Sequence, residues 1–323
     1  MPRAAWTDII KRTYKRVWDD NVGLVAAGVA FYGFFALLSL LGLIVLVYGF
    51  AADPFTVISH MRVLTAVLPT DVAFIIGDQL MNAVRASQKA KGLGIVLAFL
   101  VATYGGTNGA VSAITALNIA YEEKERRSLL RFYVLAVSMT LGALVLSLLA
   151  LAGTATLAFL QHLLPGTATF LVTASKVVGY LLLTLIATAV ASGLYRFGPS
   201  REDARWKWIT PGSLVAAIAW LLLTWAFGLY VGHVTNYHAS YGSLGAVVAL
   251  LTWMYLSAYA FIVGAELNSE IEHQTAKDST TGNPRPLGTR GAWAADNVAT
   301  DDEPDHTDAP SLSEATPKVE EKS

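Results

Sequence analysis

The sequence predicts an all-α integral membrane protein with six transmembrane helices, interfacial amphipathic helices and a disordered C-terminal tail. Three observations carry this. The chain has 323 residues, 54% hydrophobic and only 15% charged, whereas soluble domains carry about a quarter charged residues. Its uncharged runs repeatedly reach the roughly 20 residues needed to cross a hydrocarbon core of about 30 Å. Its charge is also segregated: 18 Lys and Arg face 14 Asp and Glu up to Ala276, against 5 and 10 from Lys277 onward. The net charge of −1 gives no basis for a nucleic-acid partner, and the absence of cysteine excludes disulfides, thiolate metal sites and thiol catalysis.

Residues 1–20 read as an N-terminal surface helix. Trp6, Ile9, Ile10, Tyr14, Val17 and Trp18 fall near helical spacing, with Lys11, Arg12, Lys15 and Arg16 opposite. Such a helix suits an anionic inner leaflet, at about 1 kcal/mol per basic residue near the surface; the alternative is a plain anchor for the first span. The membrane body covers residues 21–275. Its first uncharged run, Val22–Ala52, is about twice as long as a signal-peptide core and is expected to be retained. The first span is placed at 29–50. Residues 53–91 form an extracytoplasmic amphipathic segment, in which an apolar cluster ends at Pro69 and Thr70-Asp71 starts a second short helix.

The remaining spans are placed at 93–118, 133–160, 171–195, 209–231 and 242–267. Leu164-Pro165-Gly166 divides the third from the fourth. A β-barrel would instead show roughly ten-residue segments of alternating polarity. Lys and Arg cluster before span one, after span two and after span four, and are absent after spans three and five. The positive-inside rule then puts both termini in the cytoplasm. Arg62, Arg85, Lys89 and Lys91 are the basic residues left outside. Residues 276–323, rich in proline and acid and without an apolar run, read as a disordered tail. Its Asp301–His306 run is a solvated acidic stretch rather than a metal site, because ligands in a floppy strand are not preorganised.

Polar residues recur inside the spans. Tyr104, Asn108, Ser112, Thr115 and Asn118 do so in span two; Lys176, Tyr180, Thr184, Thr188 and Tyr195 in span four; Thr252, Tyr255, Tyr259 and Glu266 in span six. These faces turn inward because lipid offers them no partner. They either line a pathway or cleft, or hold the bundle by interhelical hydrogen bonds of about 0.6 kcal/mol each. The ionisable Lys176 and Glu266 stand near span ends. Gly105 and Gly109, and Gly228 and Gly232, have the spacing of close helix packing; the first pair alternatively unwinds span two. No nucleotide-binding glycine-lysine loop, zinc-binding histidine pair or Gly-x-Ser-x-Gly motif is present. The sequence therefore points to no catalytic residue, no cofactor and no metal.

Asp20-Asn21, followed by Ala26-Ala27-Gly28-Val29-Ala30-Phe31-Tyr32, resembles the opening signature of the YihY/virulence factor BrkB family. So do Ala116–Tyr121, Tyr241–Ala246, Leu251–Ala258 and Gly264-Ala265-Glu266-Leu267-Asn268, in order over about residues 5–275. The resemblance implies a six-span bacterial inner-membrane protein without an agreed activity, from a family once mislabelled ribonuclease BN. Asp20, Asn118, Glu266 and Asn268 match its polar positions, and Ser39 stands where the family usually has proline. The candidate functional residues are thus Asp20, Asn108, Asn118, Lys176, Tyr255, Glu266 and Asn268. The expected function is a transport or translocation component for a lipid-like or small amphiphilic substrate or an ion. A structural, partner-binding envelope protein is the alternative, and a membrane-embedded enzyme comes last. The expected partners are membrane lipids, anionic inner-leaflet lipids among them, and a homo-oligomer or envelope protein.

Overall fold

A computed structural model describes residues 3–51, 93–143, 145–146, 169–233 and 243–299. Among these the chain forms helices and no strand. They are α1 (Arg3–Asp19), α2 (Val22–Ala51), α3 (Leu93–Ala120), α4 (Leu129–Ala143), α5 (Thr169–Phe197), α6 (Trp206–His233), α7 (Ser243–His273) and α8 (Trp293–Asp296). Four are long and apolar enough to cross a membrane on their described residues: α2 through Val22–Ser39, α5 through Gly179–Phe197, α6 through Trp206–Tyr230 and α7 through Val247–His273. The apolar α4 is shorter. The expected amphipathic segment 53–91 and the break at Leu164–Gly166 lie outside the described residues.

Local chemistry sets the helix ends. Asn21 takes a left-handed conformation, φ 49°, which Asn tolerates better than most residues. Its carbonyl accepts the amides of Leu24 at 2.8 Å and Val25 at 3.1 Å. This elbow starts α2 at Val22, seven residues before the expected span, so α1 and α2 are nearly continuous in sequence but separate helices. At the other extreme α7 runs to His273 rather than 267, and Glu270 and Glu272 of its last turns are paired with Arg12 and Arg201.

The helices pack in the order α4, α3, α2, α7, α6, α5, with α1 laid across α7 and α2. Gly109 meets α2 so closely that an added Cβ would stand 2.8 Å from that of Ala36, and Gly105 faces Ser39 in the same way. The pair therefore serves packing, and α3 is unbroken through it. Gly212 and Gly264 form a second close crossing, between α6 and α7; a Cβ on Gly264 would stand 2.6 Å from that of Ala216. Gly228 of the other glycine pair meets nothing. The buried core, including Val22, Leu117, Tyr121, Tyr195, Ile209 and Ile262, gathers at the end where α1 and the connections after α3, α5 and α7 meet. We call this the base. Away from it, apolar side chains such as Leu100, Leu182, Leu222 and Trp225 are exposed, as suits surfaces whose solvent is lipid.

One boundary is corrected. The disordered tail was expected from residue 276, yet residues 276–299 fold back onto the base. Ala204 and Thr280 form an antiparallel bridge. The Thr281 amide donates to the Asp203 carbonyl at 2.8 Å, and that of Ala299 to the His273 carbonyl at 2.9 Å. Arg290 is buried; its guanidinium donates to the carbonyls of Ala295 at 2.6 Å and Ala276 at 2.8 Å. This clasp is held by polar partners, so the missing apolar run was no guide to its order. Residues 300–323 lie outside the described residues.

Candidate functional site

Two settings hold the polar residues: the base, where they are buried and paired, and clefts along α2, where they face open space. In the base, Arg12 Nε donates to Glu270 Oε2 at 2.6 Å and its Nη2 to Gln274. Arg16, one turn on, reaches Glu122 and stands 3.3 Å from Glu270 Oε1. Its guanidinium also lies over the Trp293 ring, 4.8 Å from the centroid. On the adjacent side, Arg201 donates to Glu272 Oε2 at 2.7 Å, and the Ser279 hydroxyl donates to the same oxygen at 2.8 Å. The Arg201 and Glu272 side chains are 1% and 0% exposed. Arg201 also covers the Tyr121 ring at 4.9 Å. Burial, with Glu272 beside it, holds the Tyr121 hydroxyl well above the usual tyrosine range.

Asn118 joins the connections after α3 and α5. Its carbonyl oxygen Oδ1 accepts the Ser200 amide at 2.7 Å and its Nδ2 donates to Glu125 at 3.0 Å. Asn268 has a different task. Pro211 removes a backbone donor inside α6. Asn268 accepts the Gly212 amide at 2.7 Å and donates to the Ile209 carbonyl at 2.8 Å, satisfying the backbone on both sides of that proline. Asp20, at the α1–α2 elbow, and Glu266, 1% exposed on α7, meet as a carboxyl pair. Burial pushes the Asp20 carboxyl above its usual range, and Arg16 pulls it partly back.

The clefts are different. One of about 450 Å³ opens between α2 and α3, lined by Tyr32, Tyr104, Asn108, Ser112 and Thr115 beside Val25, Val111, Ala116 and Ile119. Tyr255 lies between two more: about 270 Å³ with Trp18, Asn21 and Tyr259, and about 340 Å³ with Phe31, Leu251 and Thr252. Thr115, Thr184 and Thr252 each donate to the carbonyl four residues earlier, so their hydroxyls are satisfied within their own helices. Tyr195 instead bonds across helices to the Phe261 carbonyl at 2.5 Å.

The seven candidates therefore do not form one site. Asp20, Asn118, Glu266 and Asn268 are brought together in the base. Asn108 and Tyr255 line separate clefts. Lys176 lies in α5, and its side chain is outside the described residues. Sequence reasoning missed Arg12, Arg16, Arg201, Glu270 and Glu272 as a network, reading the first two as lipid-facing. The available signal was Glu266, Glu270 and His273 at spacings of four and three on a helix that ought to have ended in lipid headgroups.

A family model described as virulence factor BrkB matches residues 13–287, which include the end of α1, the elbow, α2 to α7 and the first half of the clasp. The chain belongs to the virulence factor BrkB family. The ribonuclease-like protein YfkH of Bacillus subtilis (strain 168) is 27% identical over 240 residues, covering 69% of this chain and 86% of YfkH. UPF0761 membrane proteins of Xanthomonas campestris pv. campestris (strain B100) and Xanthomonas oryzae pv. oryzae (strain PXO99A) are 37% identical over 78 residues, 24% of this chain and 18% of theirs. No solved structure matches. This BrkB-family chain is a membrane protein, and the label carried by YfkH describes YfkH alone.

Proposed function

We propose that this BrkB-family protein is a translocation component of the bacterial inner membrane for a lipid-like or small amphiphilic substrate, without catalysis. The observation that carries the reading is the α2–α3 cleft. Its wall is amphiphilic along its length: a polar line of Tyr104, Asn108, Ser112 and Thr115 runs beside Val25, Val111, Ala116 and Ile119. A polar stripe that served only to join helices would be packed against one; this stripe borders a cleft of about 450 Å³, within the size range of small-ligand sites. Asn108 and Tyr255 are the proposed substrate contacts. Asn118 and Asn268 act through the scaffold, and Lys176 is proposed as an interfacial charge at the far end of α5.

The exposed row Trp6, Ile10, Tyr14 and Trp18 on α1 is proposed to lie in the headgroups of the inner leaflet, with Lys11 and Lys15 at its flank favouring anionic lipid. Arg12 and Arg16, which point into the base, take no part in that. With the base inside, both termini are cytoplasmic.

The test is lipid movement in vesicles of mixed zwitterionic and anionic lipid carrying a fluorescent short-chain phospholipid. Purified protein should accelerate its passage between leaflets. Asn108→Leu combined with Ser112→Val should slow passage at least about tenfold, equivalent to about 1.4 kcal/mol, with an unchanged unfolding midpoint. Equal rates for variant and wild type would remove the cleft from the path, and no acceleration over empty vesicles would overturn the translocation reading.

A further inference from the structure

We propose that Asp20 and Glu266 form a one-proton binding site that ties the α1–α2 elbow to α7. This goes beyond the translocation reading and does not rest on it. The two carboxyls lie within hydrogen-bond reach of each other, across the joint between the elbow and the last turns of α7. Asp20 Oδ2 and Glu266 Oε1 are both buried, and neither has a hydrogen-bond donor. Ionised carboxylates are acceptors only. With no donor supplied to these oxygens among the described residues, one proton held between the two groups satisfies both; without it, two negative charges face each other in a site of low dielectric.

The surroundings favour that proton over a neutralising cation. The charged and titratable groups acting on the pair are Arg16 and Asp19 of α1, Glu270 of α7 and Tyr121 beyond α3. Arg16 is the cation among them, and its guanidinium is already engaged by Glu122, Glu270 and the Trp293 ring. Arg12 and Arg201 are committed to Glu270 and Glu272. Among the described residues no third His, Cys, Asp or Glu joins the pair in a group able to hold a metal ion.

A cleft of about 270 Å³ opens at the elbow beside the pair's sequence neighbour Asn21, with Val17 and Tyr259 also in its wall. The proton belongs to the folded state. Raising the pH removes it, sets two buried charges against each other and loosens the elbow; lowering the pH restores it.

The experiment uses the full chain in detergent micelles and reads two signals against pH. Infrared spectra of the wild type should show a protonated-carboxyl band that persists well above the ordinary carboxylate range, about pH 4, and then titrates away. The thermal midpoint should fall as pH rises from the ordinary carboxylate range to the pH where the band is lost, and level off above it. Glu266→Gln and Asp20→Asn should each lose that band, and their midpoints should stay level across the interval. Asp20→Asn, at the half-buried member, keeps the test open if Glu266→Gln does not fold. An unchanged band in both variants, or wild-type and variant midpoints that fall in parallel, would overturn the proposal.

Discussion

The base and the α2–α3 cleft both carry polar side chains on apolar helices, yet they satisfy them in opposite ways. In the cleft, Thr115 bonds to a carbonyl of its own helix one turn back, so the wall survives whatever occupies the void. In the base, Arg12 finds Glu270 across 258 residues of sequence and Asn118 finds Ser200 across 82. Local satisfaction leaves a surface free to bind; long-range satisfaction joins elements. The contrast assigns stability to the base and leaves the cleft wall unengaged by other helices.

The sharpest way to break this contrast is to remove one member of the buried ion pair. Arg201→Met leaves Glu272 buried and uncompensated, and loss of one such partner costs about 3–5 kcal/mol. Thermal unfolding in detergent should show a destabilisation of that size, and protease should cut within residues 276–299, which Ser279 ties to Glu272. A midpoint like that of the wild type would show that the base is not the stabilising region.

Asn268→Leu comes next. It strips the side-chain partner from the Gly212 amide, worth about 1–3 kcal/mol when buried and unpaired, while the Ile209 carbonyl keeps the Ser213 hydroxyl. Hydrogen exchange should rise around 209–213 in α6 while the distant half of that helix keeps its protection. Uniform loosening would mean that Asn268 supports α7 rather than the proline-interrupted turn.

The smallest effect tests the clasp by acid. Burial pushes the Asp278 carboxyl up slightly, but the amides of Arg285 and Thr280 and the Thr280 hydroxyl outweigh it and hold the group below the usual carboxylate range. Its stabilisation is therefore present above the ordinary carboxylate pKa and is lost as pH falls through the lower, folded value. Hydrogen exchange at 278–285, corrected for intrinsic rates, should rise in acid in the wild type and be raised at all pH values in Asp278→Ala. The elbow, by the proton it holds, is expected to loosen in the opposite direction, in alkali.

Much of the helical layout was legible, and the reason is local. A run without charge from Val22 or from Trp208 has lipid as its compatible solvent wherever the rest of the chain lies, and α5 and α6 end within three residues of expectation. Glycines 105 and 109 announced close packing by their spacing alone. The candidate site was legible only as residue types. Nothing in one sequence says that Asn268 serves the turn at Pro211, or that Arg16 chooses Glu270 over a lipid phosphate, because those choices depend on groups far apart along the chain. The clasp was illegible for the same reason: Trp293, Arg290 and Asp278 order residues 276–299 through partners, not through an apolar run. By itself the sequence determined what is apolar enough to be buried in lipid. The tertiary structure decided which polar groups are matched and which face a cleft, since pairing is a property of position in space and burial in lipid is a property of composition.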